Sequence, residues 1–126
     1  MQRTRKNAVA FSSYITEDCL KLIEYLAARE EITRIVFVRR AVKYFLQGDK
    51  IIDPRILITA RKSKGYIRRD ALFTGYIDKE QKRILTEIAH SQGANFSQVF
   101  FQCMINYCAL LITIDNTGIE IYEKSN

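Results

Sequence analysis

The side chains in this chain that could do covalent chemistry are few, and their surroundings argue against catalysis. His90 is the single histidine, so a Ser/His or Cys/His nucleophilic pair could form only around it, and nothing beside it recommends that role. Cys19, Cys103 and Cys108 are odd in number, lie among apolar residues and keep no metal-ligand spacing, so they read as buried, reduced thiols. Glu17 with Asp18, and Glu30 with Glu31, are more simply helix-start and surface charges than catalytic carboxylate pairs, and no glycine-rich phosphate loop occurs. The expectation is a protein that is not an enzyme and that uses no cofactor and no metal.

What remains is recognition. The balance of 20 Lys+Arg against 14 Asp+Glu gives a net charge of +6, which favours polyanionic partners such as nucleic acid or an anionic membrane. The hydroxyl-bearing residues are organised in a particular way: "AFSSYIT" at 10–16 returns as "LFTGYID" at 72–78. Phe11 and Phe73, Tyr14 and Tyr76, Ile15 and Ile77, and Ala27 and Ala89 each stand 62 positions apart, without a gap.

The elements around the two copies follow one script. "AVAFSSYI" alternates as a short strand, with Phe11, Ser13 and Ile15 on one face and Ala10, Ser12 and Tyr14 on the other. Thr16 caps a helix with Cys19, Leu20, Ile23, Leu26 and Ala27 at helical spacing, and Glu17 and Asp18 near its positive end. Thr33 caps a second helix, "RIVFVRRAVKYFLQ", with an apolar stripe of Phe37, Val38, Ala41, Val42 and Phe45 and a stop at Gly48. In the second copy "ALFTGYI" is the strand, Asp78 the cap with Gln81 three residues on, and Ile84, Leu85, Ile88 and Ala89 the helix core positions. Gly93 marks the turn, and Asn95 with Gln98 makes a box-like cap for a final helix carrying Val99, Phe100, Cys103, Met104 and Tyr107. A lone strand lacks a pairing partner and a lone helix pair buries too little. Two units solve both problems by pairing strands antiparallel and interlocking helices.

This order of strand, cap, helix, turn, cap and helix resembles the ribbon-helix-helix family of DNA-binding proteins, the Arc/MetJ-like repressors. The likeness covers Ala8 to about Gln47 and Asp70 to about Leu111. The tandem, single-chain form is similar to certain conjugative-plasmid origin-binding proteins. The implied fold is mainly α with a two-stranded antiparallel ribbon, two repeats forming an intramolecular pseudo-dimer. With 126 residues and 48% hydrophobic content the chain supports a single globular unit, 1–126. Within it, 8–47 is the first repeat, 48–69 a basic linker, 70–111 the second repeat and 112–126 a C-terminal hairpin or tail. The β-hairpin reading rests on Ile112, Ile114, Ile119 and Ile121 alternating around "DNTG".

The resemblance implies that the ribbon enters the major groove and that its outward side chains, Ala10, Ser12, Tyr14, Leu72, Thr74 and Tyr76, meet base edges. Ser, Thr and Tyr hydroxyls can bond a base, and Ala or Leu can touch a thymine methyl. The face has none of the Arg, Lys, Asn or Gln side chains that bond two base atoms at once, so discrimination should be soft. The family also anchors phosphate on amides at the start of each second helix, here Thr33, Arg34, Ile35 and Asn95, Phe96, Ser97. Arg34 adds charge to the first anchor and Phe96 none to the second, which implies an asymmetric footprint. Lys6, Arg68 and Arg69, with Arg3 and Arg5, flank the strands as further phosphate contacts or as solvated charges.

From Pro54 the linker carries Arg55, Arg61, Lys62, Lys64, Arg68 and Arg69 with no acid before Asp70, and reads equally as a phosphate-contacting or a solvated loop. Ile51, Ile52, Ile56, Leu57 and Ile58 are too apolar to lie free and should cover core. The window from Val99 to Ile114 falls short of a membrane span and is interrupted by Gln102 and Asn106. With no signal-like run at the start, a cytoplasmic location follows as the expectation. The partner expected is double-stranded DNA and not a membrane, with self-association along DNA or a protein partner at the apolar second half. The function expected is that of an origin-binding (relaxosome) accessory factor of a plasmid or mobile element, or of a transcriptional repressor. The competing expectation is a protein-interaction module of the same fold that has lost base readout.

Overall fold

The computed structural model describes residues 7–125, and the side chains of residues 7–114. Strands β1 (Ala8–Ile15) and β2 (Ala71–Asp78) form one two-stranded antiparallel sheet. Around it lie five helices: α1 (Glu17–Arg29), α2 (Arg34–Gln47), the single turn α3 (Pro54–Leu57), α4 (Lys79–Ser91) and α5 (Phe96–Ser125). The molecule is mainly helical, with the ribbon on one side of the helices.

The alternation in the sequence sets which way the ribbon faces. Phe11, Ser13, Ile15, Phe73 and Ile77 are buried, while their sequence neighbours Ser12, Tyr14, Leu72, Thr74 and Tyr76 are exposed. In the register Ser12 lies opposite Thr74, Ala10 opposite Tyr76 and Tyr14 opposite Leu72. The inner face is tied down by aromatic rings. Phe11 stacks on Phe73 at 5.8 Å between centroids, and Phe100 of α5 meets both, at 4.8 Å and 5.4 Å. Such pairs add about 0.5–1.5 kcal/mol each beyond the area they bury.

The helices meet this sheet with the residues their periodicity marks. Cys19, Ile23 and Leu26 of α1, all five stripe residues of α2, Leu85 and Ala89 of α4, and Val99, Phe100, Cys103, Met104 and Tyr107 of α5 are buried together. The three thiols are reduced and buried, and burial pushes that of Cys103 above its ordinary value. Thr16 Oγ1 accepts from the Cys19 amide at 3.0 Å, and Thr33 Oγ1 from that of Val36 at 3.3 Å, as caps should.

The turns after α1 and α4 have one geometry. Ile32 N–H donates to Ala27 O at 3.0 Å and Glu31 N–H to Ala28 O at 3.1 Å; Ala94 donates to Ala89 O at 2.8 Å and Gly93 to His90 O at 3.1 Å. Glu31 (φ 57°) and Gly93 (φ 72°) both occupy the left-handed region. Both are Schellman closures, and each position in one stands 62 before its counterpart in the other.

Two expectations need correction. The hairpin over 112–126 does not form among the described residues, because α5 continues as one helix to Ser125, about 45 Å long. An isolated hairpin is marginal without further strands, whereas extending a nucleated helix costs little per residue. Asp78 stands at the N-cap position of α4 but makes no side-chain cap bond. Its carboxylate is drawn instead to Arg39 of α2, 3.4 Å away, and Gln81 turns its amide to the Arg39 carbonyl.

The linker is pinned to the second half of the molecule. Ile52 and Ile56 are buried, Leu57 and Ile58 half-buried, and Ile51 exposed. Gln102 Oε1 accepts from Asp53 N–H at 2.7 Å, Gln92 Oε1 from Ile52 N–H at 2.9 Å, and Gln98 Nε2 donates to Ile56 O at 3.0 Å. The glutamine that interrupts the apolar window is therefore a linker anchor. One described stretch, Phe96–Ile114, is long and apolar enough by composition to cross a membrane, and half of it is buried inside this molecule as its core helix.

Candidate nucleic-acid interface

The six outward ribbon residues form three cross-strand pairs on an uncovered surface. Tyr14 is 54% exposed, Tyr76 57% and Leu72 51%, with Ala10, Ser12 and Thr74 also exposed. Strands about 4.8 Å apart make a ribbon narrow enough for a major groove about 12 Å wide. From the first pair to the third is about 13 Å, roughly four base-pair steps. The register puts Tyr14 and Tyr76 at opposite ends and leaves the small hydroxyls of Ser12 and Thr74 at the centre.

Beside the ribbon runs an open groove of about 830 Å³, lined on one side by Ala10, Ser12, Thr74 and Tyr76 and on the other by Asn95, Phe96 and Ser97 at the start of α5. Asn95 and Gln98 cap each other, at 2.8 Å and 3.0 Å. The box leaves the Phe96 and Ser97 amides, which precede the first intrahelical bond, at the groove's wall. Lys82 of α4 also lines this groove, its ammonium 5.7 Å from the Phe96 ring. The positive charge that the local sequence denies this anchor thus comes from another helix. Sequence reading missed it because nothing local ties Lys82 to Phe96, only the tertiary packing of α4.

At the start of α2, Thr33 takes the Val36 amide and leaves those of Arg34 and Ile35 at the helix mouth. The Arg34 side chain is exposed, and it already makes contacts within the protein. It donates to Thr74 O at 3.1 Å, pairs with Glu24 at 3.4 Å and lies 4.5 Å over the Phe73 ring. It therefore ties β2 to the start of α2 while keeping part of its guanidinium at the surface. Its counterpart 62 residues on, Phe96, packs on Phe11 at 5.8 Å.

The described flanking cations, Arg68 and Arg69, lie before the second strand and are engaged within the protein. β2 begins at Ala71, and Arg68 precedes it with its guanidinium paired to Asp70. Arg69 is half-buried, and its guanidinium lies near the rings of Tyr66 and Phe101 at 5.8 Å and 5.6 Å. Lys6, like Arg3 and Arg5, lies outside the described residues. Among the described residues no three metal-ligating side chains converge.

Comparison with protein-family models, with curated proteins and with solved structures gave no match. The site is therefore interpreted from its own geometry.

Proposed function

We propose that this chain is a duplex DNA-binding protein whose β1–β2 ribbon lies in the major groove, with its two ribbon-helix-helix repeats making an intramolecular pseudo-dimer. It acts as an origin-binding accessory factor of a plasmid or mobile element, or as a transcriptional repressor. The observation that carries this reading is the register. Ser12 pairs with Thr74, its own counterpart at 62 positions' distance, so the ribbon is centred on a local two-fold. The six side chains left outward face solvent, and the chain as a whole carries a net charge of +6.

In this mechanism Ser12, Thr74, Tyr14 and Tyr76 offer hydroxyls to base edges, and Ala10 and Leu72 offer apolar contact to thymine methyls. The Arg34, Ile35, Phe96 and Ser97 amides receive phosphates on either side, helped by the helix dipoles and by Lys82. The second reading, an interaction module of the same fold without base readout, draws on the lack of any Arg, Lys, Asn or Gln on the outward face.

Titration against random-sequence duplex across a salt series separates the two. DNA binding requires affinity that falls steeply as salt rises, by about 0.9 in the log–log slope per phosphate contact. An interaction module gives little binding at any salt. Negligible affinity at low salt would refute the DNA reading.

A further inference from the structure

The segment between α3 and β2 has no part in the ribbon mechanism, yet it lies beside the ribbon. Residues from Thr59 to Gly65 are exposed, but the backbone is folded into turns. Ser63 N–H donates to Ala60 O at 3.0 Å, Tyr66 N–H to Ser63 O at 3.2 Å, and Gly65 takes φ +86°. The root of the loop is fixed by Arg69, held against Tyr66 of the loop and buried Phe101 of α5. The loop so placed closes one side of a polar cavity of about 440 Å³. Arg61, Tyr66 and Arg69 line it from the linker, with Asp70 just before β2, Tyr14 from the ribbon, and Asn95 and Ser97 from the start of α5.

The charge of the loop itself is uncompensated. Arg61, Lys62 and Lys64 make no ion pair among the described residues, no acid occurs from Pro54 to Arg69, and the nearest, Asp70, is taken by Arg68. Three cations within four residues repel one another and gain most from an external array of anions. One Nη1 of Arg69 is buried without a hydrogen-bond partner on the same side.

We propose that the Arg61–Lys64 loop is a second DNA-contacting element, a sequence-independent clamp on the phosphate backbone beyond the Tyr14–Leu72 end of the ribbon. The inference rests on the ribbon reading. Tyr14 belongs both to the outward face and to the cavity wall, so a duplex seated on the ribbon brings one of the backbones bordering its groove over this loop. The linker then serves as a connection and as an orienting contact, marking one flank of the site.

The test uses the full chain and a triple variant, Arg61→Ala with Lys62→Ala and Lys64→Ala, with a Gln triple as a second neutral form. All three side chains are exposed, so far-ultraviolet circular dichroism should be unchanged. Binding to one duplex is measured across a salt series, with hydroxyl-radical footprinting. The expected result is a log–log salt slope shallower by about 2–3, at about 0.9 per lost phosphate contact. Affinity falls equally for preferred and scrambled sequence, and protection disappears on one flank only. A slope and footprint identical to the unaltered chain would overturn the clamp and leave the ribbon reading standing. No salt-dependent duplex binding by the unaltered chain would overturn both.

Discussion

Ser13 is the one hydroxyl of the first strand turned inward, and its Oγ is buried with no hydrogen-bond partner. Its counterpart 62 positions on is Gly75, which has no side chain to satisfy. Burying an unpaired hydroxyl costs about 1–3 kcal/mol, and Ser→Ala removes the polar atom with little change in volume. Ser13→Ala should therefore raise stability by about 1 kcal/mol in urea denaturation; a loss of that size would show that the hydroxyl has a partner. The outward hydroxyls make the opposite case. Tyr14 and Tyr76 touch solvent, so Tyr14→Ala with Tyr76→Ala should leave the thermal midpoint nearly unchanged while reducing the preference for selected over random duplex roughly tenfold, or about 1.4 kcal/mol. Unaltered preference in that double variant, measured by competition binding, would remove them as readers.

The two helix–helix turns pose the same backbone problem to different residues. At the second, Gly93 takes φ 72° freely, and a Cβ added there meets nothing within 4 Å, so any cost of Gly93→Ala is backbone strain alone. At the first, Glu31 holds φ 57° as an L-residue, a conformation costing about 1–2 kcal/mol. Calorimetry should find Gly93→Ala destabilised by about 1 kcal/mol and Glu31→Gly stabilised by about 0.5–1 kcal/mol, the gain reduced by the larger unfolded-state freedom of glycine. Shifts of the reverse sign would mean the turns differ. These elements were largely legible in sequence because local rules set them: two-residue alternation fixed the ribbon's faces, and Thr16, Thr33 and the Asn95–Gln98 box fixed the helix starts. Asp53 followed by Pro54 is an equally local signal for the short α3, which the 48–69 linker contains. The rest depends on packing between distant segments. Lys82 reaches the start of α5, Arg39 takes Asp78 from its cap, and Arg34 bonds the Thr74 carbonyl of β2, none of which a spacing reveals. The "DNTG" turn signal of the tail is local too, but it was overridden by a helix already running.

At the scale of the whole molecule, one stretch of the connection between the halves, 59–65, is exposed along its length. β1 pairs with β2, α2 packs on α5, and the Phe11–Phe73–Phe100 cluster spans both halves. Neither 8–47 nor 70–111 has another strand to complete its sheet, so separation exposes a ribbon edge and most of the shared core. Continuity of the chain through that exposed loop, by contrast, contributes mainly loop-closure entropy, which varies only slowly with length. A site-specific protease sequence inserted between Ser63 and Lys64, in the exposed loop, should therefore be cut in the native protein while the two pieces stay together. At micromolar concentration they should co-elute on size exclusion with unchanged helical signal. What cutting changes is molecularity: the thermal midpoint of the nicked protein should rise with its concentration, as for a dimer, while that of the intact chain stays constant. Two pieces that part and each melt cooperatively would mean that the repeats fold independently. The ribbon would then be a contact between two domains, and the pseudo-dimer account would be wrong at its foundation.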